Sequence, residues 1–188
     1  MFRSATPLAA FLAMTLASAA PAQDTGTADG DLSLGSEQGS QPGETYVAAT
    51  HGDWEVRCVR TDGENDPCQM NQVVADPEGN PVAEVSIFDV PPGRQAAAGA
   101  TIVTPLGTLL TAQLSLSIDE NQPKRYPFSW CVQQGCFARI GFTAAELDAL
   151  KRGVKADMAI ASFQAPDQPV RLEVSLSGFT AAFDDISR

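Results

Sequence analysis

Histidine is almost missing from this chain: His51 is the single one among 188 residues. With one imidazole and four cysteines, a transition-metal site is short of ligands, so neither a metal nor a cofactor is expected. A Ser-His-Asp or Cys-His device would have to use His51, with Asp53 two residues on as its orienting acid. There is no G-x-S-x-G elbow, no Gly-rich phosphate loop and no internal repeat. His51 stands in Thr50-His-Gly-Asp just before an alternating segment and reads as a surface or turn histidine, so no catalytic residue is assigned. Basic residues are scarce as well, 12 Lys and Arg against 23 Asp and Glu, for a net charge of −11. Nucleic acid and anionic membrane surfaces select for basic patches, and both are excluded as expected partners. The adjacent acids Asp184-Asp185 and Asp119-Glu120 do not mark two carboxylates across a cleft, as glycoside hydrolysis needs.

Long hydrophobic runs are absent beyond the amino terminus, so no transmembrane segment is expected in the mature chain. The first residues carry a different signal. Arg3 forms a positive start, Pro7 to Ala17 a short apolar run, and Ala20-Pro-Ala22 a small-x-small cleavage site. Residues 1–22 are therefore expected to be a signal peptide cleaved after Ala22, and no lipobox cysteine lies there. Removing Arg3 takes the net charge from −11 to −12. Residues 23–45 are rich in Gly, Ser, Thr, Gln and Asp, with acids at Asp24, Asp29, Asp31, Glu37 and Glu44 and no base. Such a composition buries too little surface to offset the entropy of ordering and predicts a disordered acidic linker.

Residues 46–188 are expected to form one domain, of a size sufficient for one core. Short alternating segments are separated by turn signals such as Thr61 to Pro67 and Asp76 to Pro81. Asp53–Val59 places Trp54, Val56 and Cys58 on one face, and Leu109–Ile118 places Leu110, Ala112, Leu114, Leu116 and Ile118 on another. With Val82–Phe88, Arg125–Cys131, Cys136–Phe142, Val154–Phe163 and Val170–Leu176 the count is seven or eight strands, which favours an all-β antiparallel sandwich. Thr143-Ala-Ala-Glu146 is a capping box that starts a short helix with a Leu147/Leu150 stripe. Gly153 is expected to end that helix in the left-handed conformation, and Phe179 to Ile186 predicts a second short helix.

Cysteines are few but even in number. Cys58, Cys68, Cys131 and Cys136 in an exported chain predict disulfides. Three pairings are possible. Each close pair flanks a turn-rich loop, which favours Cys58–Cys68 and Cys131–Cys136; crossed pairing would require the two strands to face each other. Zinc ribbons use cysteines about two to four residues apart on both sides, from which the nine-residue gap of Cys58 and Cys68 departs, and Cys131-x4-Cys136 lacks the C-x-x-C spacing of redox motifs. Trp54 shares the inward face and is expected in the core, whereas Trp130 alternates out of phase with Cys131 and is open to a ligand-stacking role.

Several of these segments together resemble the invasion-associated locus B family of Gram-negative bacteria. They are Gly52-Asp-Trp-Glu-Val-Arg-Cys58, Cys68-x-Met-x-Gln72, Thr104-Pro-Leu-Gly-Thr-Leu109, Phe128-Ser-Trp-Cys-x4-Cys136 and Ser175-Leu-Ser-Gly-Phe-Thr-Ala-Ala-Phe183. The resemblance implies a secreted or envelope-associated sandwich of immunoglobulin-like type, linked in pathogenic members to host-cell entry, and it brings no catalytic residues. The expected function is a non-enzymatic binding module of the periplasm, outer membrane or medium, with an envelope or host protein as partner. The alternatives are a carboxylate-dependent hydrolase and a holdase for exported proteins.

Overall fold

The computed structural model describes residues 41–187. The expected signal peptide (1–22), and the linker up to residue 40, lie outside the described residues. Gln41 to Glu44 form a turn whose Gly43 N–H donates to the Arg60 carbonyl at 2.8 Å.

Two antiparallel sheets make a sandwich. The larger is built from β1 (Thr45–His51), β2 (Trp54–Val59), β3 (Cys68–Ala75), β4 (Pro81–Asp89) and β5 (Ala98–Thr104) in sequence order. It is completed by β9 (Gly135–Phe142) and then β8 (Phe128–Val132), which forms the far edge. The smaller sheet has the order β11 (Val170–Ser175), β10 (Lys155–Ile160), β6 (Leu114–Ile118), β7 (Lys124–Tyr126). Period-two alternation sends Trp54, Val56, Met70, Ile87 and Ile102 inward from the large sheet, and Leu114, Leu116, Met158 and Leu172 meet them in one buried cluster.

The described residues form eleven strands rather than seven or eight. β1, β3 and β5 are the strands that local pattern did not reveal. β1 is a half-exposed edge, β5 (Ala-Gly-Ala-Thr-Ile-Val-Thr) is made largely of small residues, and the apolar pattern of β3 is interrupted by the buried amides Asn71 and Gln72. Leu109–Ile118 is not one strand: Leu110–Ala112 is a 3-10 turn, and Gln113 takes φ 60°. The inward face therefore begins at Leu114, and Leu110 is left largely exposed. Arg125–Cys131 is also split. Pro127 has no N–H to give a ladder, and there the chain leaves β7 in the small sheet for β8 in the large one.

Helix α1 (Ala144–Arg152) opens with the expected capping box: the Thr143 hydroxyl accepts from the Glu146 N–H, and the Thr143 N–H donates back to the Glu146 carboxylate at 2.9 Å. Lys124 of β7 donates to the other Glu146 oxygen, tying the helix start to the small sheet. Burial pushes the Glu146 carboxyl up, but the Lys124 ammonium and the Thr143 donors outweigh it, and its pKa lies below the ordinary 4.5. Gly153 is not left-handed; its φ is −75°. It is required for space, since a Cβ there would meet Asp119 Oδ2 and Leu176 Cδ1 at 2.8 Å. Helix α2 (Phe179–Ile186) lies where expected and buries Phe179, Ala182 and Phe183.

Candidate functional site

The two most suggestive catalytic residue types are held in separate structural pairs. His51, at the end of β1, pairs through Nε2 with Asp185 Oδ2 of α2 at 2.5 Å, both side chains being partly shielded from water. Asp53 does not orient it. Its carboxylate instead accepts from the Ser175 hydroxyl at 2.6 Å, and its N–H donates to the Ser177 carbonyl at 3.2 Å. The geometry around these residues is that of a joint. Gly52 has φ 55° and a Cβ there would strike the Ser177 carbonyl at 2.5 Å, while a Cβ on Gly178 (φ 82°) would strike the His51 carbonyl at 2.0 Å. Two backbones touch where only glycine fits. The Trp54 indole N–H donates to the Ser175 carbonyl at 2.9 Å and its ring meets Phe179 edge-on at 5.5 Å. Gln72 completes the joint, its amide bonding Ser175 on both the N–H (2.9 Å) and the carbonyl (3.0 Å).

All four cysteines are bridged, Cys58 to Cys68 and Cys131 to Cys136, which is the local pairing. In each case the partners sit directly opposite one another in an antiparallel register, β2 with β3 and β8 with β9. The second bridge adjoins a packed turn. Gly135 lies so close to β5 that a Cβ would meet the Thr104 carbonyl at 2.4 Å, and the Thr104 hydroxyl donates to the Cys136 carbonyl at 3.3 Å. Thr104 and Gly135 thus clamp the β8–β9 hairpin onto the sheet from below.

Carboxylates do gather at one place. A hollow of about 520 Å³ is lined by Glu64, Asp66, Asp89 and Asp185 together with Tyr46 and Phe88. A proton-donating acid needs a raised pKa. Asp66 goes the other way: the Thr61 N–H and the Tyr46 hydroxyl, at 2.9 Å, hold its carboxyl below the usual range. Among the described residues no group of three or more His, Cys, Asp and Glu side chains is arranged to hold a metal ion. No helix of the described residues is long and apolar enough to cross a membrane.

The open feature is the β8 edge. β8 is last in its sheet, so its outward backbone groups have no strand to bond. Trp130 is 44% exposed and stacks on Phe137 of β9, centroids 5.3 Å apart and planes 11° from parallel. Val132 beside it is 45% exposed. Neither Phe137 nor the neighbouring Arg139, both on the outer face of β9, drew notice in the sequence. Their only signal was alternation with the buried Ala138 and Ile140.

These features define an all-β, disulfide-bridged sandwich whose glycines and buried amides serve architecture and whose unsatisfied surface is a sheet edge. The comparison with known proteins agrees: residues 54–187 match the invasion associated locus B (IalB) protein family. This chain belongs to that family. An invasion protein B homolog of Brucella abortus strain 2308 is 31% identical over 145 residues, covering 77% of this chain and 81% of the relative. The counterpart from Brucella abortus biovar 1 strain 9-941 matches to the same extent. The crystal structure of invasion associated protein B from Bartonella henselae superposes with a TM-score of 0.62 at 25% identity, over 74% of this chain and 94% of that one.

Proposed function

We propose that this protein is exported and works, without catalysing a reaction, as a protein-binding module of the cell envelope or its surface. The observation that carries the reading is the contrast between the closed joint at His51, Asp53 and Ser175, where the polar groups are spent on one another, and the open β8 edge with a half-exposed tryptophan. Exposed aromatics beside an unpaired strand suit recognition of another chain. The relatives' names connect them with invasion, and a host or envelope protein as partner follows from that likeness. The expected leader at residues 1–22 and the bridged cysteines support an oxidising compartment. Cell fractionation followed by cross-linking in intact cells tests the reading. The chain should be recovered from periplasm, outer membrane or medium, covalently joined to a discrete second protein. Recovery in the cytoplasm, or no partner at any surface position, would overturn it.

A further inference from the structure

Resting on that binding reading, we infer that β8 is a strand-addition site for an extended, acid-bearing segment of another polypeptide. The first ground is the direction of the indole. Trp130 and Phe137 are register partners on adjacent strands, whose spacing is about 4.8 Å. Their rings stack nearly parallel at 5.3 Å, so the stacking axis runs across the strands. One indole face lies on Phe137, and the other is turned past the sheet edge, over the space an added strand would fill. A side chain opposite Trp130 on that strand would continue the stack, while the free N–H and C=O groups of β8 would supply the ladder.

The second ground is charge. In a chain with 23 acids, none falls from Asn121 to Ala145, and this stretch carries Lys124, Arg125 and Arg139. Lys124 is engaged by Glu146, and Arg125 donates to the Ala112 carbonyl at 2.9 Å. Arg139 is exposed and takes part in none of the ion pairs among the described residues. It lies two residues along β9 from Phe137, on the same outer face, one residue beyond Ala138, the register partner of Phe128 at the start of β8. Glu84, the acid in register beyond Val103 on this face, is engaged by Arg57 and by Asn71, whose amide donates to it at 2.6 Å. Arg139 is thus the one charged residue of β8 and β9, and it stands without an acid on an anionic protein. A second copy pairing β8 with β8 would bring two Arg139 side chains and no acid of β8 or β9 to the joined edge, which disfavours it.

The occupant is therefore an extended segment with an apolar or aromatic residue opposite Trp130 and Asp or Glu two residues away, facing Arg139. The test uses the full mature chain with its disulfides intact and capped peptides of alternating Val and Glu. Parallel peptides replace Glu by Lys, or carry N-methyl groups on alternate amides. Isothermal titration calorimetry should report saturable binding of the Glu peptide, weakened about tenfold by Trp130→Ala and about fivefold by Arg139→Glu. The N-methylated and Lys peptides should bind far more weakly. No binding, or equal binding of the N-methylated or Lys peptides, would overturn strand addition. In cells, a photo-cross-linker at Val132 is compared with one at Val47 on the opposite edge. Adducts to another protein from position 132 alone support the inference. Adducts from position 47 alone, equally from both positions, from neither, or to a second copy of this chain overturn strand addition at β8, while the binding reading itself falls only if no surface position yields a partner.

Discussion

The molecule holds two tryptophans, each within a few residues of a disulfide, and they have opposite fates. Trp54 is fully buried, its N–H is bonded to Ser175 and its ring is met by Phe179. Trp130 has one face on Phe137 and the other toward solvent. The difference lies in strand position. β2 is flanked by β1 and β3 and capped by α2, whereas β8 has a neighbour on one side only. The same residue type beside the same covalent bridge is structural when strands enclose it and available for recognition when they do not.

The sharpest way to break this comparison is truncation of each indole. Trp54→Ala should cost about 3–5 kcal/mol through lost burial and an unfilled cavity, read as a fall in urea midpoint. Trp130→Ala should cost less than about 1 kcal/mol, as expected for a surface change, while weakening peptide binding about tenfold. Equal losses would mean that Trp130 is structural too.

Next come the bridges. The Cys58–Cys68 bridge spans ten residues and the Cys131–Cys136 bridge five. On loop-closure entropy, removing the first by paired Ala substitution should cost about 2.7 kcal/mol, and removing the second about 2 kcal/mol. Thermal unfolding under non-reducing conditions measures both. The second variant, though the milder for stability, should lose more of the peptide binding, because it frees the edge strand.

A smaller effect separates the closed side of the molecule from the open edge by pH. The Glu146 carboxyl titrates lower when folded than when unfolded, so on acidification the unfolded chain takes up this proton first. The stability this group contributes is present above about pH 4.5 and is lost as the pH falls through its lowered folded value. Glu146→Gln should flatten that part of the acid limb in a stability-against-pH series. Arg139→Gln at the β8 edge should leave the limb unchanged, and is the smallest effect expected of the set.

Much of the closed region was legible from local pattern. The capping box at Thr143–Glu146 and helix Phe179–Ile186 are encoded within a few residues, and alternation alone placed Trp54, Val56 and Cys58 inward. Other features were not local. Gln113 adopts a positive φ without being glycine, which breaks an apolar alternation that looked continuous from Leu109 to Ile118. The conformation of Gly153 could not be read from its place after a basic last turn, because the constraint there is the approach of Asp119 and Leu176 from other elements. Phe137 and Arg139 were invisible as site residues, since nothing in a strand says which strand lies beside it or whether any does.

By itself, the amino-acid sequence determined the all-β class, both helices, the inward faces of most strands and a pattern of residues that identifies the family. These follow from period, capping chemistry and turn residues, all of which act over a few positions. Only the tertiary structure decided that Gly52 and Gly178 are needed where two backbones meet, that His51 is paired with Asp185 rather than Asp53, and that β8 ends its sheet. Each of these depends on contacts between residues far apart in sequence, and strand order, which no local pattern records, is what leaves Trp130 facing outward.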